Sequence, residues 1–129
     1  MDFDASIPIY LQIVEQIREK VVSGKWAAGE RVAPVRDLAA QFSVNPNTMQ
    51  RAMAELEREG LLRSERTAGR FVTEDTALVA QCRAALVNTL TARFAADMTR
   101  LGIPQEEILA AVRQSFCIIN GKEDEHESR

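Results

Sequence analysis

Asn47, Gln50 and Arg51 carry the most distinctive chemistry of this sequence. A carboxamide presents a donor and an acceptor in one plane, which matches the edge of adenine. A guanidinium matches guanine or a phosphate. Such groups act together only if they share a face. Advancing 100° per residue from Met49 puts Ala52, Met53 and Leu56 within about 60° of it, as an apolar stripe. Asn47, Gln50, Arg51, Ala54 and Arg58 fall between about 100° and 200°, on the opposite side. Other chemistries are poorly served. The one histidine, His126, lies in a polar tail, and Cys82 and Cys117 form neither a zinc spacing nor a disulfide framework. These two cysteines read as small buried hydrophobes. Ser64 and Ser115 have no histidine to activate them, and there is no glycine-rich phosphate loop. The reading is of a protein that is not an enzyme and uses no cofactor and no metal.

The elements that must position these residues follow from local signals. Asn45-Pro46 starts a helix over 46–59, because the residue before proline avoids helical angles and Asn is a favoured N-cap. Gly60 stops it. A short helix over 35–42 precedes it, with Val35, Leu38, Ala39 and Phe42 apolar and a break at Ser43-Val44. The first helix has Ser6 as N-cap and Pro8 in its first turn, an apolar face of Tyr10, Ile13, Val14, Ile17 and Val21, and a stop at Gly24. A hairpin follows the third helix, with strands Leu61–Glu65 and Arg70–Thr73. Its turn is Arg66-Thr67-Ala68-Gly69, with Gly69 available for a positive φ. Helix, helix, tight turn, helix and hairpin is the order of a winged helix-turn-helix. Arg66 and Arg70 flank the turn, placed either for phosphates and the minor groove or as an ordinary polar hairpin end. Arg36 opens the second helix, where it meets either a DNA backbone or Glu30.

Charge supports this once it is divided. The net charge of -3 over 129 residues argues against nucleic acid. Residues 31–70, however, carry seven arginines against five acidic residues, a surplus of +2 between acidic flanks. No apolar run approaches a membrane span, and the acidic start is unlike a signal peptide. A reducing, cytoplasmic setting is expected.

The stretches Gly29-Glu30-Arg31-Val32-Ala33-Pro34-Val35-Arg36-Asp37-Leu38-Ala39 and Val44-Asn45-Pro46-Asn47-Thr48-Met49-Gln50-Arg51-Ala52-Met53, with Leu56-Glu57, Gly60-Leu61 and Gly69-Arg70-Phe71-Val72, resemble the DNA-binding domain of the GntR family. The resemblance covers about residues 8–73. Asn-Pro-Asn-Thr followed by Gln-Arg-Ala is similar to the YtrA subfamily, as is the short two-helix remainder. It implies a dimeric bacterial transcription regulator, usually a repressor, often encoded beside ABC-transporter genes. It also implies DNA contacts at Arg36, Asn45, Asn47, Thr48, Gln50 and Gly69. The sequence departs from the family at Ala33-Pro34, where Pro-Ser is common, and at Thr67, where glycine is common.

The remaining chain reads as two helices. Leu78, Cys82, Leu86, Leu90, Phe94 and Met98 recur every four residues, and Ile108, Leu109, Val112, Phe116 and Ile119 follow the break at Gly102-Ile103-Pro104. These faces exceed what two helices can hide from water. They predict a two-fold interface centred on Leu86, Leu90, Phe94, Leu109, Val112 and Phe116. The two helices leave little room for a conventional effector pocket. The expected architecture is mainly α with a small hairpin. It comprises a winged helix-turn-helix over 1–73, a two-helix dimerisation region over 74–120 and a charged tail over 121–129. A winged-helix or helical protein-interaction module without specific DNA binding is the alternative.

Overall fold

The computed structural model describes residues 3–127, and the side chains as far as residue 121. The chain divides into two compact units after Ala85.

In the first unit, α1 (Ile9–Val22) buries Ile13, Val14, Ile17 and Val21. Its N-cap is Pro8 rather than Ser6, and no side chain caps it. Ser6 is diverted because Asp4 accepts both its amide, at 2.8 Å, and its hydroxyl, at 2.6 Å. Gln12 secures the approach to the helix instead, donating through Nε2 to the carbonyls of Asp4 and Ile7. After Gly24, α2 (Val35–Phe42) buries Leu38, Ala39 and Phe42. The chain then reverses at Ser43, a left-handed residue with φ 56°. This places α3 (Pro46–Arg58) across α2. Asn45 caps α3, its side-chain oxygen accepting the Asn47 amide at 2.8 Å, and Pro46 occupies the first turn. Met49, Ala52, Met53 and Leu56 are completely buried, which is the stripe their spacing requires. Ile13, Ile17, Leu38, Leu61, Leu62 and Val72 close the core around them.

The hairpin pairs β1 (Leu62–Glu65) with β2 (Gly69–Val72), antiparallel, from Leu62↔Val72 to Glu65↔Gly69. The chain before α2 adds a third, irregular edge. Arg31 bridges Phe71, the Gly29 amide donates to Val72 O, the Val72 amide to Glu30 O and the Val32 amide to Arg70 O. Four residues without alternation gave no strand signal in the sequence.

The helix α4 (Thr76–Arg100) begins in the first unit, where Val79 and Cys82 pack against the core. The division expected at residue 73 marks the end of the hairpin, whereas the compact unit takes in these first turns of α4. The second unit holds the rest of α4 and α5 (Gln105–Glu127). Helix α5 continues into the segment read as a charged tail. Side chains from residue 122 onward, His126 among them, lie outside those described. No side chain between 86 and 121 is buried. Cys117, expected inside, is exposed because a single chain has nothing to lay over that face of α5; Cys82 is half-buried.

Candidate nucleic-acid interface

The capped start of α3 and its buried stripe fix which side chains face water. Asn45, Asn47, Gln50, Arg51, Ala54 and Arg58 are exposed, and Thr48 is half-buried. The face of two amides and a guanidinium, inferred from spacing, is therefore assembled. Two refinements came from tertiary structure. Asn45 holds its own helix start, so its side-chain oxygen is already engaged. Arg51 lies over the Tyr10 ring of α1, with its guanidinium carbon 3.9 Å from the ring centre. That cation–π contact orients the guanidinium without neutralising it.

The acidic residues of α3 would repel a phosphate if they were free, but each is engaged by an arginine. Glu55 pairs with Arg58. Glu59 binds Arg18 of α1 at 2.6 Å, both side chains being largely covered. Burial opposes the Arg18 charge, but Glu59 outweighs it and raises the pKa above the ordinary value. Glu57 accepts from both Arg70 and the Ser64 hydroxyl, and so ties both strands of the hairpin to α3. Arg70 is consequently not free at the hairpin tip, where the sequence placed it. It stands opposite Ser64 in the hairpin, folded back on the helix and mostly covered. Arg63 stacks on Phe71 and pairs with Glu65. Arg66 is exposed in the turn itself, and Arg36 is exposed on α2. Neither has an ion pair among the described residues. Pro34, at the α2 N-cap, offers no capping side chain, as the departure at Ala33-Pro34 implied.

Glu57 gives the wing a pH dependence. Burial raises its pKa, but Ser64 and Arg70 outweigh this and hold it below the ordinary 4.5. A carboxylate with a lowered folded pKa stabilises above its unfolded value and loses that contribution as pH falls through the folded value. Glu57→Gln is expected to cost about 1 kcal/mol at neutral pH. Urea midpoints of the two proteins should converge as the pH falls from the ordinary 4.5 through the lowered folded value. A constant difference down to pH 3 would remove Glu57 from this role.

Cys82 has no activated chemistry. Burial, only partly offset by Arg18, raises its pKa, so the thiol stays protonated at neutral pH. Among the described residues no group of three His, Cys, Asp or Glu side chains gathers for a metal ion. No helix among them is long and apolar enough to cross a membrane.

Residues 9–72, the three helices and the hairpin, match the family model described as bacterial regulatory proteins, gntR family. The chain is also 36% identical over 111 residues to the uncharacterised HTH-type transcriptional regulator YhcF of Bacillus subtilis, covering 86% of this chain and 92% of YhcF. It belongs to the GntR family. This GntR protein is 29% identical to the HTH-type transcriptional repressor YtrA of Bacillus subtilis over 123 residues, 94% of each chain. Its fold is similar to that of a GntR family transcriptional regulator from Listeria monocytogenes. The TM-score is 0.79 at 41% identity, over 87% of this chain and 98% of the other. The protein is thus a winged-helix, DNA-binding transcription regulator rather than an enzyme.

Proposed function

We propose that this GntR protein is a cytoplasmic repressor that binds an inverted-repeat operator as a homodimer and controls an ABC-transporter operon. The observation that carries the DNA side is the exposed polar face of α3, whose carboxylates are all engaged by arginines. In this reading Asn47, Gln50 and Thr48 meet base edges, and Asn45 presents its amide nitrogen beside them. Arg36, Arg51 and Arg66 meet phosphates, Gly69 gives the wing a close approach, and Arg70 braces the wing through Glu57. Homology to a protein named as a repressor supports the direction of control.

The dimer rests on the second unit. Leu90 and Phe116 are each 59% exposed, Leu109 48% and Phe94 39%. A groove of about 340 Å³ between α4 and α5 is lined by Phe94, Met98, Ile108, Val112 and Phe116. Apolar exposure on this scale marks an interaction surface, and a second copy supplies a matching one across a two-fold axis.

A gel shift with the DNA upstream of its own gene tests the reading. Retardation at about 100 mM salt is expected, with two protected patches one helical turn or a multiple apart. Arg66→Ala should lower the slope of log affinity against log salt by about one unit for each phosphate contact removed. No retardation would leave a protein-interaction module as the better account.

A further inference from the structure

The seven arginines of the basic segment divide by what holds them. Arg58, Arg63 and Arg70 are paired with carboxylates. Arg51 is stacked on Tyr10. Arg36, Arg66 and Arg31 have no ion pair among the described residues. The first two already have a place at the DNA. Arg31 has none, and its position is specific. Its backbone is fixed on the third edge of the wing by the bridge to Phe71 and by the hydrogen bonds on either side. Its exposed side chain runs along the wing toward the turn. A Cβ added at Gly69 would stand 3.3 Å from Arg31 Nε and 3.5 Å from one terminal nitrogen. Gly69 itself has φ 109°, a conformation that L side chains rarely adopt. The absence of a side chain at position 69 thus makes room for the Arg31 guanidinium beside the wing backbone.

We infer that Arg31 is a further phosphate-binding residue, holding the DNA backbone beside the wing. The inference rests on the DNA-binding reading above. A guanidinium with no internal carboxylate need lose no ion pair to bind a phosphate. The third edge sets its height relative to the tip, where Arg66 stands. The contact is with phosphate rather than with a base, so it adds affinity without sequence preference. It also requires positive charge rather than a planar fork, so lysine should serve in its place.

The test uses the full chain and a fluorescein-labelled pool of 30-base-pair duplexes of random sequence, titrated by anisotropy between about 20 and 150 mM salt. Binding to such a pool is almost wholly a phosphate effect. Arg31→Gln should lower the salt slope by about 0.9 per protomer bound and weaken binding several-fold at the lowest salt. Arg31→Lys should keep the wild-type slope. Circular dichroism melting should show both variants folded, since the side chain is exposed. An unchanged slope in Arg31→Gln, with the wild type binding normally, would overturn the inference and leave the DNA-binding reading standing. A wild type that binds none of the pool would overturn that reading instead. A lysine variant as weak as the glutamine variant would exclude a simple phosphate contact.

Discussion

Replacing Phe94 with aspartate is expected to turn the protein into a monomer and to remove most of its affinity for an operator. Phe94 is 39% exposed in the single chain, and it lines the groove between α4 and α5. Full burial of such a side chain is worth about 1.5–3 kcal/mol; pairing covers only the part still exposed, and a two-fold interface loses that part twice. Each substitution also sets a carboxylate against an apolar surface. Together these weaken the dimer by about 3 kcal/mol or more, a hundredfold or more in its dissociation constant. Light scattering at micromolar concentration reads the mass directly. The winged domain should survive, because its core lies in the other compact unit. A single protomer then has only its own recognition helix, and the advantage of holding two half-sites at once disappears. If Phe94→Asp remains a dimer, the α4–α5 face is not the interface. If it becomes a monomer that binds the operator as tightly as before, the inverted-repeat reading fails.

Met53→Ala and Gln50→Ala, three positions apart on α3, should separate stability from recognition. Met53 is completely buried beneath the helix. Truncating such a side chain costs about 2–5 kcal/mol, a large part of the 5–15 kcal/mol that holds an ordinary domain. A marked fall in the melting temperature is therefore expected. Gln50 is exposed at the edge of the polar face, and its removal should leave stability within about 0.5 kcal/mol. Its loss should instead weaken operator binding about tenfold or more and relax the preference at one base position. The two variants thus fail in different assays. A Met53→Ala protein with unchanged melting would contradict the buried stripe. A Gln50→Ala protein with unchanged operator affinity would remove that amide from recognition.

Much of the fold was legible because its signals are local. Asn45-Pro46 announces the start of α3, and both the cap and the proline stand where expected. The 100° arithmetic on Met49, Ala52, Met53 and Leu56 identified the buried side because helical geometry relates near neighbours. The misses share an opposite cause. Ser6 resembled a cap until Asp4 took its hydrogen bonds. The edge around Arg31 depends on a partner forty residues away, and no alternation announced it. Arg70 looked free until Glu57, thirteen positions earlier, was folded against it. Glu57 itself was an unremarked acid on a helix. Its tie to Ser64 and Arg70 exists only when hairpin and helix are docked. The candidate site was therefore readable in its residue types and face, and hidden in the contacts that hold the face electrically available.

The lack of any buried side chain between residues 86 and 121 has a consequence for how much of the protein a cell must make. Two helices without an interior of their own are marginal in water, so on the dimeric reading their order is gained at the moment of pairing. Stability of that part then rises with protein concentration, while the winged unit melts independently of dilution. Below the dimer dissociation constant, the amount of paired protein grows as the square of the amount synthesised. Halving expression would cut the paired form fourfold, and promoter occupancy would respond to gene dosage more steeply than for a regulator that is already assembled.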